Sequence, residues 1–312
     1  MTAVSFLTDF EWYVRVVGKP ATQLFVIIAC VLALWLIINR ITRLEERDEA
    51  GRRLDMDDHV LLFRQQNRAY LIQRLSIVVA QIIAMTGAIA ATPTHAVADL
   101  VWLAVEGLWI LLFLLAARVL VDKVVLSRVD NVTAMREGNT AIGIVEAGFY
   151  IGFGLILNGS LSGSAPTIGQ GVLASLVFSL LGVALVIGVY WLHEYVTPYH
   201  VRSALEEGRV ATALELAGVL IAVSLVVREG VAGDFTGWGV GFSGFFSVAI
   251  LAVALLYLMR FVLNKVLPGT CKLADIHQNN LVGAAGFMAG LFVAEALAVS
   301  VLISTALAST SQ

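Results

Sequence analysis

Charged side chains are scarce in this chain: Asp, Glu, Lys and Arg supply 14% of its 312 residues, against 59% hydrophobic. A soluble domain carries about a quarter charged residues, so the composition excludes an ordinary water-soluble fold and indicates an integral membrane protein. The basic residues form no stripe that could track a phosphate backbone, and a net charge of −3 gives no footprint for nucleic acid. Cysteine is nearly absent. Cys30 lies in an apolar run and Cys271 in a polar connector, which offers neither a disulfide framework nor a metal-ligand spacing. The N-terminus has no basic segment ahead of an apolar core and contains Asp9 and Glu11, so no cleavable signal is expected. Enzyme signatures are missing too: no Gly-rich phosphate loop after a strand, no Gly-x-Ser-x-Gly elbow, no His-Glu-x-x-His. A non-catalytic protein without cofactor or metal is the expectation.

What the chain has in abundance is long apolar runs. A membrane-spanning helix needs about 20 apolar residues, and eight stretches qualify: 21–39, 75–92, 100–121, 139–158, 171–192, 210–228, 243–264 and 281–304. None alternates as a barrel strand does, so the class is all-α, polytopic, with eight transmembrane helices. The connectors 40–74, 118–139, 193–210 and 260–280 hold most of the Lys and Arg. The positive-inside rule puts those connectors in the cytoplasm and both termini outside. Residues 1–20, with Phe6, Phe10, Trp12 and Tyr13, read as an outer interfacial segment, and 305–312 as an outer tail.

Polar entries recur at an even spacing. Asn67, Asn139, Arg209 and Asn280 each open a helix rich in small residues, and fixed periods mark internal repeats. Small residues follow at shared offsets: Ala69, Ser76, Ala80; Ala141, Gly148, Gly152; Ala211, Gly218, Ala222. Steps of about seven and four keep one helix face. Small residues on one face let two backbones approach closely in lipid, so these four helices are expected to be the inner, tightly packed ones. In the fourth copy the stripe is read one residue on, at Gly283, Gly286 and Gly290.

These motifs resemble a known family. VTPYHVRSALEEGRVATALELAG (196–218), REGNTAIGIVEAG (136–148) and IHQNNLVGAAGFMAG (276–290) are similar to connectors of the YjfL-like bacterial inner-membrane proteins, the domain of unknown function 350. The resemblance implies two tandem four-helix units, 21–158 and 171–304, in a bacterial inner membrane. It implies no established activity. It associates the chain with envelope-stress coat proteins and ATP-grasp ligases, and so with a cytoplasmic partner.

Four acids fall inside the spans: Glu106, Glu146, Glu215 and Glu295. An intramembrane carboxylate is costly unless neutral, paired or wetted. Glu146 shares a helix face with Asn139 and Gly143, whereas Glu215 points elsewhere on its helix. Two readings follow. In one, the four glutamates with Asn139 and Asn280 line an ion or proton conduit. In the other, the protein is a membrane anchor that recruits a cytoplasmic partner through the charged connector 40–66. A homo-oligomer in the lipid bilayer is compatible with both. His193 and His200 read as interfacial anchors beside Trp191, and His277, Asn279 and Asn280 as a helix start.

Overall fold

The computed structural model describes residues 18–45, 59–91, 97–126, 131–197, 199–266 and 273–310. The interfacial segment before residue 18, the middle of the charged connector (46–58), Cys271 and the last two residues of the tail lie outside the described residues. Eight helices are long and apolar enough to cross a membrane. They are α1 (Lys19–Glu45), α2 (Arg68–Ala91), α3 (Val97–Leu120), α5 (Thr140–Leu161), α6 (Ile168–Val196), α8 (Val210–Val231), α9 (Trp238–Val266) and α11 (Val282–Thr310). The chain is an all-α, multi-pass membrane protein. Three short helices, α4 (Asn131–Arg136), α7 (Val201–Glu206) and α10 (Leu273–Gln278), each precede an inner helix, and a π-helical turn at His59–Arg64 holds the same place before α2. All four lie within the polar connectors between spans.

The inner helices α2, α5, α8 and α11 stand side by side in chain order, with α1, α3, α6 and α9 packed against that row. A helix in mid-row has neighbours on most sides, which is why α5 and α8 are buried nearly all round while α1 is largely exposed. Small residues set the approach. A Cβ added at Gly143 would lie 2.5 Å from the Ala69 carbonyl oxygen, and one at Gly154 would lie 2.7 Å from Ala80 Cα. One row-position on, the same atom at Gly148 would be 2.7 Å from Ala217 Cα, and at Gly152 it would be 2.6 Å from Ser224 Oγ. Gly218 repeats the contact, 2.7 Å from Ala289 Cα. Carbon atoms settle at about 3.5–4.0 Å, so these positions have no room for a side chain. Residue numbers rise together across every contact; neighbouring inner helices therefore run parallel.

The first three entry residues each tie one copy to the next. Asn67 Nδ2 donates to the carbonyls of Met135 (2.7 Å) and Arg136 (3.2 Å) at the end of α4, while its Oδ1 accepts from Tyr70 N (3.1 Å). Asn139 caps α5 through Ala141 N and Ile142 N, and Nδ2 reaches the carbonyls of Leu205 (2.8 Å) and Glu206 (3.4 Å) at the end of α7. Arg209 does the same to His277 (3.3 Å) and Gln278 (3.0 Å) at the end of α10. The side chain thus satisfies helix-terminal groups that lipid could not.

The fourth copy is registered differently from the sequence reading. A residue with positive φ precedes each inner helix by two positions: Gln66 (49°), Gly138 (88°), Gly208 (73°) and Asn280 (48°). Asn280 therefore corresponds to Gly138, and Leu281 to Asn139. Asparagine tolerates the left-handed region better than most residues, so here it serves the turn rather than the cap; its Oδ1 accepts from Ala211 N (2.9 Å) on α8. Counted from Leu281, the offsets two, nine and thirteen fall on Gly283, Gly290 and Ala294. This stripe keeps the repeat's phase but is not closely packed: an added Cβ would meet no atom within 4 Å at Gly283 or Gly290, and at Gly286 only Leu214 Cδ1 of α8, at an ordinary 3.8 Å. Gly290 is not a packing position within the chain, and Gly286 makes only this loose contact. The physical reason is position, since α11 ends the row and its neighbour α8 lies on the opposite face.

Candidate functional site

Buried charge gathers at the short-helix end of the bundle, in two clusters. The larger centres on Glu215 of α8, 1% exposed. Its Oε1 lies 3.3 Å from Arg260 Nη2 on α9, its Oε2 accepts from Tyr199 OH at 2.8 Å, and His277 Nε2 of α10 closes on Oε2 as well. Tyr199 and His277 also stack, with ring centroids 4.2 Å apart. Thr212 Oγ1 sits 3.2 Å from His277 Nδ1. A hydroxyl donates or accepts, so that nitrogen is satisfied whether or not it carries a proton. His193 of α6 presents Nδ1 to Arg260 Nη1 at 3.1 Å. A guanidinium only donates, so this nitrogen must accept. Tyr199 stands in the α6–α7 connector, where burial and the Glu215 charge push its phenol up and keep it protonated.

The second cluster centres on Glu146 of α5, fully buried. Gln73 Nε2 of α2 donates to its Oε2 at 2.6 Å, with Tyr150 OH at 3.5 Å. Its Oε1 is buried with no hydrogen-bond partner among the described residues. Arg74, also on α2, donates to Gln73 Oε1 at 3.4 Å, reaches Tyr70 OH and lies over the Tyr70 ring, 4.3 Å from its centroid. On α3, Arg118 Nε is 4.0 Å from Asp122, which accepts from Asn131 Nδ2 at 3.3 Å.

The two clusters are related by the tandem repeat. RVLVDKVV (118–125) and RFVLNKVL (260–267) align, so Arg118 corresponds to Arg260, and at the same separation Gln73 corresponds to Glu215. The arginine is reproduced in place. The acid is not: one unit carries it at the Gln73 position, the other on the adjacent inner helix as Glu146.

Glu106 and Glu295 sit elsewhere. Glu106 lines a cavity of about 1050 Å³ near the opposite end, between α3, α6 and α9, floored by the ends of α5 and α8. Glu295 is part-buried on α11 and does not line it. The loops at this end are clasped together. Gly233 N donates to Ser162 O (2.9 Å), Phe235 N to Ser164 O (2.8 Å), and Asp234 Oδ1 accepts from Ser164 N and Oγ, both at 2.7 Å. Those two bonds hold the exposed Asp234 carboxyl below its ordinary value. Arg228 Nε binds Asn158 Oδ1, and its Nη1 pairs with Glu229 at 2.7 Å. The four glutamates, Asn139 and Asn280 therefore do not form one line: two glutamates are in separate clusters, one is in the cavity, one is on the rim of the row, and the asparagines hold turns and caps. Among the described residues no three His, Cys, Asp or Glu side chains gather around a possible metal position.

Sequence reasoning missed Gln73, Arg74, Tyr199, Arg260 and both histidines as partners. His193 is buried against Arg260 rather than anchoring an interface, and His277 ends α10 rather than starting α11. The alignment of 118–125 with 260–267 was the available signal. No curated protein and no solved structure matches the chain. The model of the family described as Domain of Unknown Function (DUF350) matches it twice, over residues 14–161 and 167–303. With two tandem matches that together cover nearly all its length, the chain belongs to the DUF350 family.

Proposed function

We propose that this protein is a proton or cation conduit of a bacterial inner membrane, with Glu215 and Glu146 as its ion-handling groups. The observation that carries this reading is the Glu215 cluster, in which a buried carboxylate joins Arg260, His277 and Tyr199, with His193 on the far side of Arg260. A packing contact needs one hydrogen bond; it does not need this many ionisable groups drawn from α6 to α10. Intramembrane acids that face a bundle interior commonly mark ion pathways. Protonating Glu215 removes the charge that holds Arg260 and His277 together, and that frees α10 to move against α8. At mid-bundle α5 and α6 pack closely, with Ile156 filling the space beside Gly182 and the Phe149 and Tyr190 rings 5.8 Å apart. On this reading conduction requires α6 to move relative to α5.

Reconstituted protein should pass protons or monovalent cations down a gradient, read with a pH-sensitive dye inside liposomes. The Glu146→Gln, Glu215→Gln double variant gives up the Arg260 attraction at a cost of about 3–5 kcal/mol; the fraction that elutes as folded protein should fall to the background of empty vesicles. No flux in the wild type under any ion gradient, or full flux in the double variant, rejects the conduit and leaves a membrane anchor. Orientation has its own check. The Lys and Arg distribution favours the short-helix end facing the cytoplasm. A membrane-impermeant maleimide should label Ser162→Cys in right-side-out cells and the native Cys271 only in inside-out vesicles; the opposite pattern inverts the topology.

A further inference from the structure

The row of inner helices repeats one kind of contact from each helix to the next. Counted from Asn67, Asn139, Arg209 and Leu281, the residues two, nine and thirteen positions on form the forward face of each helix. They meet the residues four, eight and fifteen positions on in the next helix: Ala69 meets Gly143, Gly148 meets Ala217, Gly152 meets Ser224, and Gly218 meets Ala289. On α11 the forward face is Gly283, Gly290 and Ala294, all exposed, and no described helix of the chain covers it. The other end of the row carries the complement. The rearward face of α2 is Leu71, Leu75 and Ile82, which are 52%, 58% and 40% exposed.

We propose that the row continues from one chain into the next, with α11 of one copy docked on α2 of a second. The internal register decides the pairing. It sets Leu71 opposite Gly283, Leu75 opposite Gly290 and Ile82 opposite Ala294, so each large side chain enters a space that a missing or short one leaves. Glycine weakens a helix; lipid draws no benefit from it, whereas a docked side chain does. Inner helices run parallel, so two copies inserted in the same sense present these faces in matching direction. Pairing α11 with α11 would instead leave the large side chains of α2 unused. A contact between unlike faces closes into a ring or runs on along the membrane. Leu281 carries no side-chain donor, so this contact lacks the tie that Asn67, Asn139 and Arg209 give the internal ones. It rests on packing alone, which belongs to the bilayer. Neither the fold of each chain nor ion conduction depends on it.

The test is disulfide formation in native membranes before detergent extraction, in the full chain carrying Cys30→Ala and Cys271→Ser. The reporting pair is Gly290→Cys with Leu75→Cys. Its internal counterparts set an added Cβ at Gly148 2.9 Å from Ala217 Cβ, and one at Gly218 2.6 Å from Ala289 Cβ. A slightly wider approach reaches the ~3.5–4.5 Å between Cβ atoms that a disulfide spans. Within one chain the two positions stand at opposite ends of the row, so any bond between them joins two chains. On oxidation with copper phenanthroline, the chain with both changes should give a dimer and higher bands that a reductant collapses. Each single variant should stay monomeric. Gly283→Leu places a side chain where an added Cβ meets no atom of its own chain. Added to the pair, it should cut the cross-linked fraction roughly 5-fold or more, the scale of an overpacked contact, with folded yield unchanged. A reducible band from either single variant, no band from the pair, or a cross-link that Gly283→Leu leaves intact overturns the proposal. Flux in liposomes is a separate measurement, so either reading can fail while the other stands.

Discussion

Gly148→Leu should leave little folded protein in detergent, whereas Gly290→Leu should behave like wild type. Both glycines occupy the same offset in their repeats, so helix propensity and glycine content predict equal effects. The tertiary contacts do not. At Gly148 an added carbon would lie 2.7 Å from the Ala217 backbone, and Gly290 has nothing within 4 Å. A flexible side chain could step aside, but Ala217 Cα cannot move without its helix. Overpacking a core costs about 1–3 kcal/mol when side chains absorb it; separating two backbones forfeits the whole face, since packing is what holds helices together in lipid. The loss at Gly148 should sit at or beyond the top of that range. Folded yield on size exclusion and thermal midpoint give the comparison. Equal behaviour of the two variants would mean that the α5–α8 contact is not a close one.

Removing one member of the Glu215–Arg260 pair should cost far more than removing both. Arg260→Met leaves Glu215 charged and nearly unexposed, and Glu215→Leu leaves Arg260 without its carboxylate. Breaking a buried pair from one side typically costs about 3–5 kcal/mol, because desolvation remains after the attraction has gone. In the double variant no stranded charge remains, and His277 can keep its Thr212 contact in the neutral form. The double variant should therefore recover most of the loss, which denaturation of all four proteins measures as a coupling energy. Additive losses would show that Glu215 and Arg260 do not depend on each other.

The sequence by itself determined the spans, the all-α class and the family. Lipid satisfies no backbone group, so each crossing must be one long apolar helix, and that demand is written locally, residue after residue. The phase of small residues at Ala141, Gly148 and Gly152 was legible for the same reason, because a helix repeats its face at fixed steps. The short helices were not. Each is six residues long, too short to be stable alone, and each is held by a side chain from the preceding copy, as Asn139 holds α7. The fourth copy misled because Asn280 looks like Asn139, and only the backbone at φ 48° shows that it does the work of Gly138. Glu146 and Glu215 were visible as acids in apolar runs. Their partners were not, because Gln73, Arg260 and His277 come from helices distant in sequence. Only the tertiary structure decided which charges meet, that Glu106 lines a cavity, and that the stripe on α11 faces outward at the end of the row. A residue's neighbours across a helix interface depend on how whole helices stack, and no local pattern carries that information.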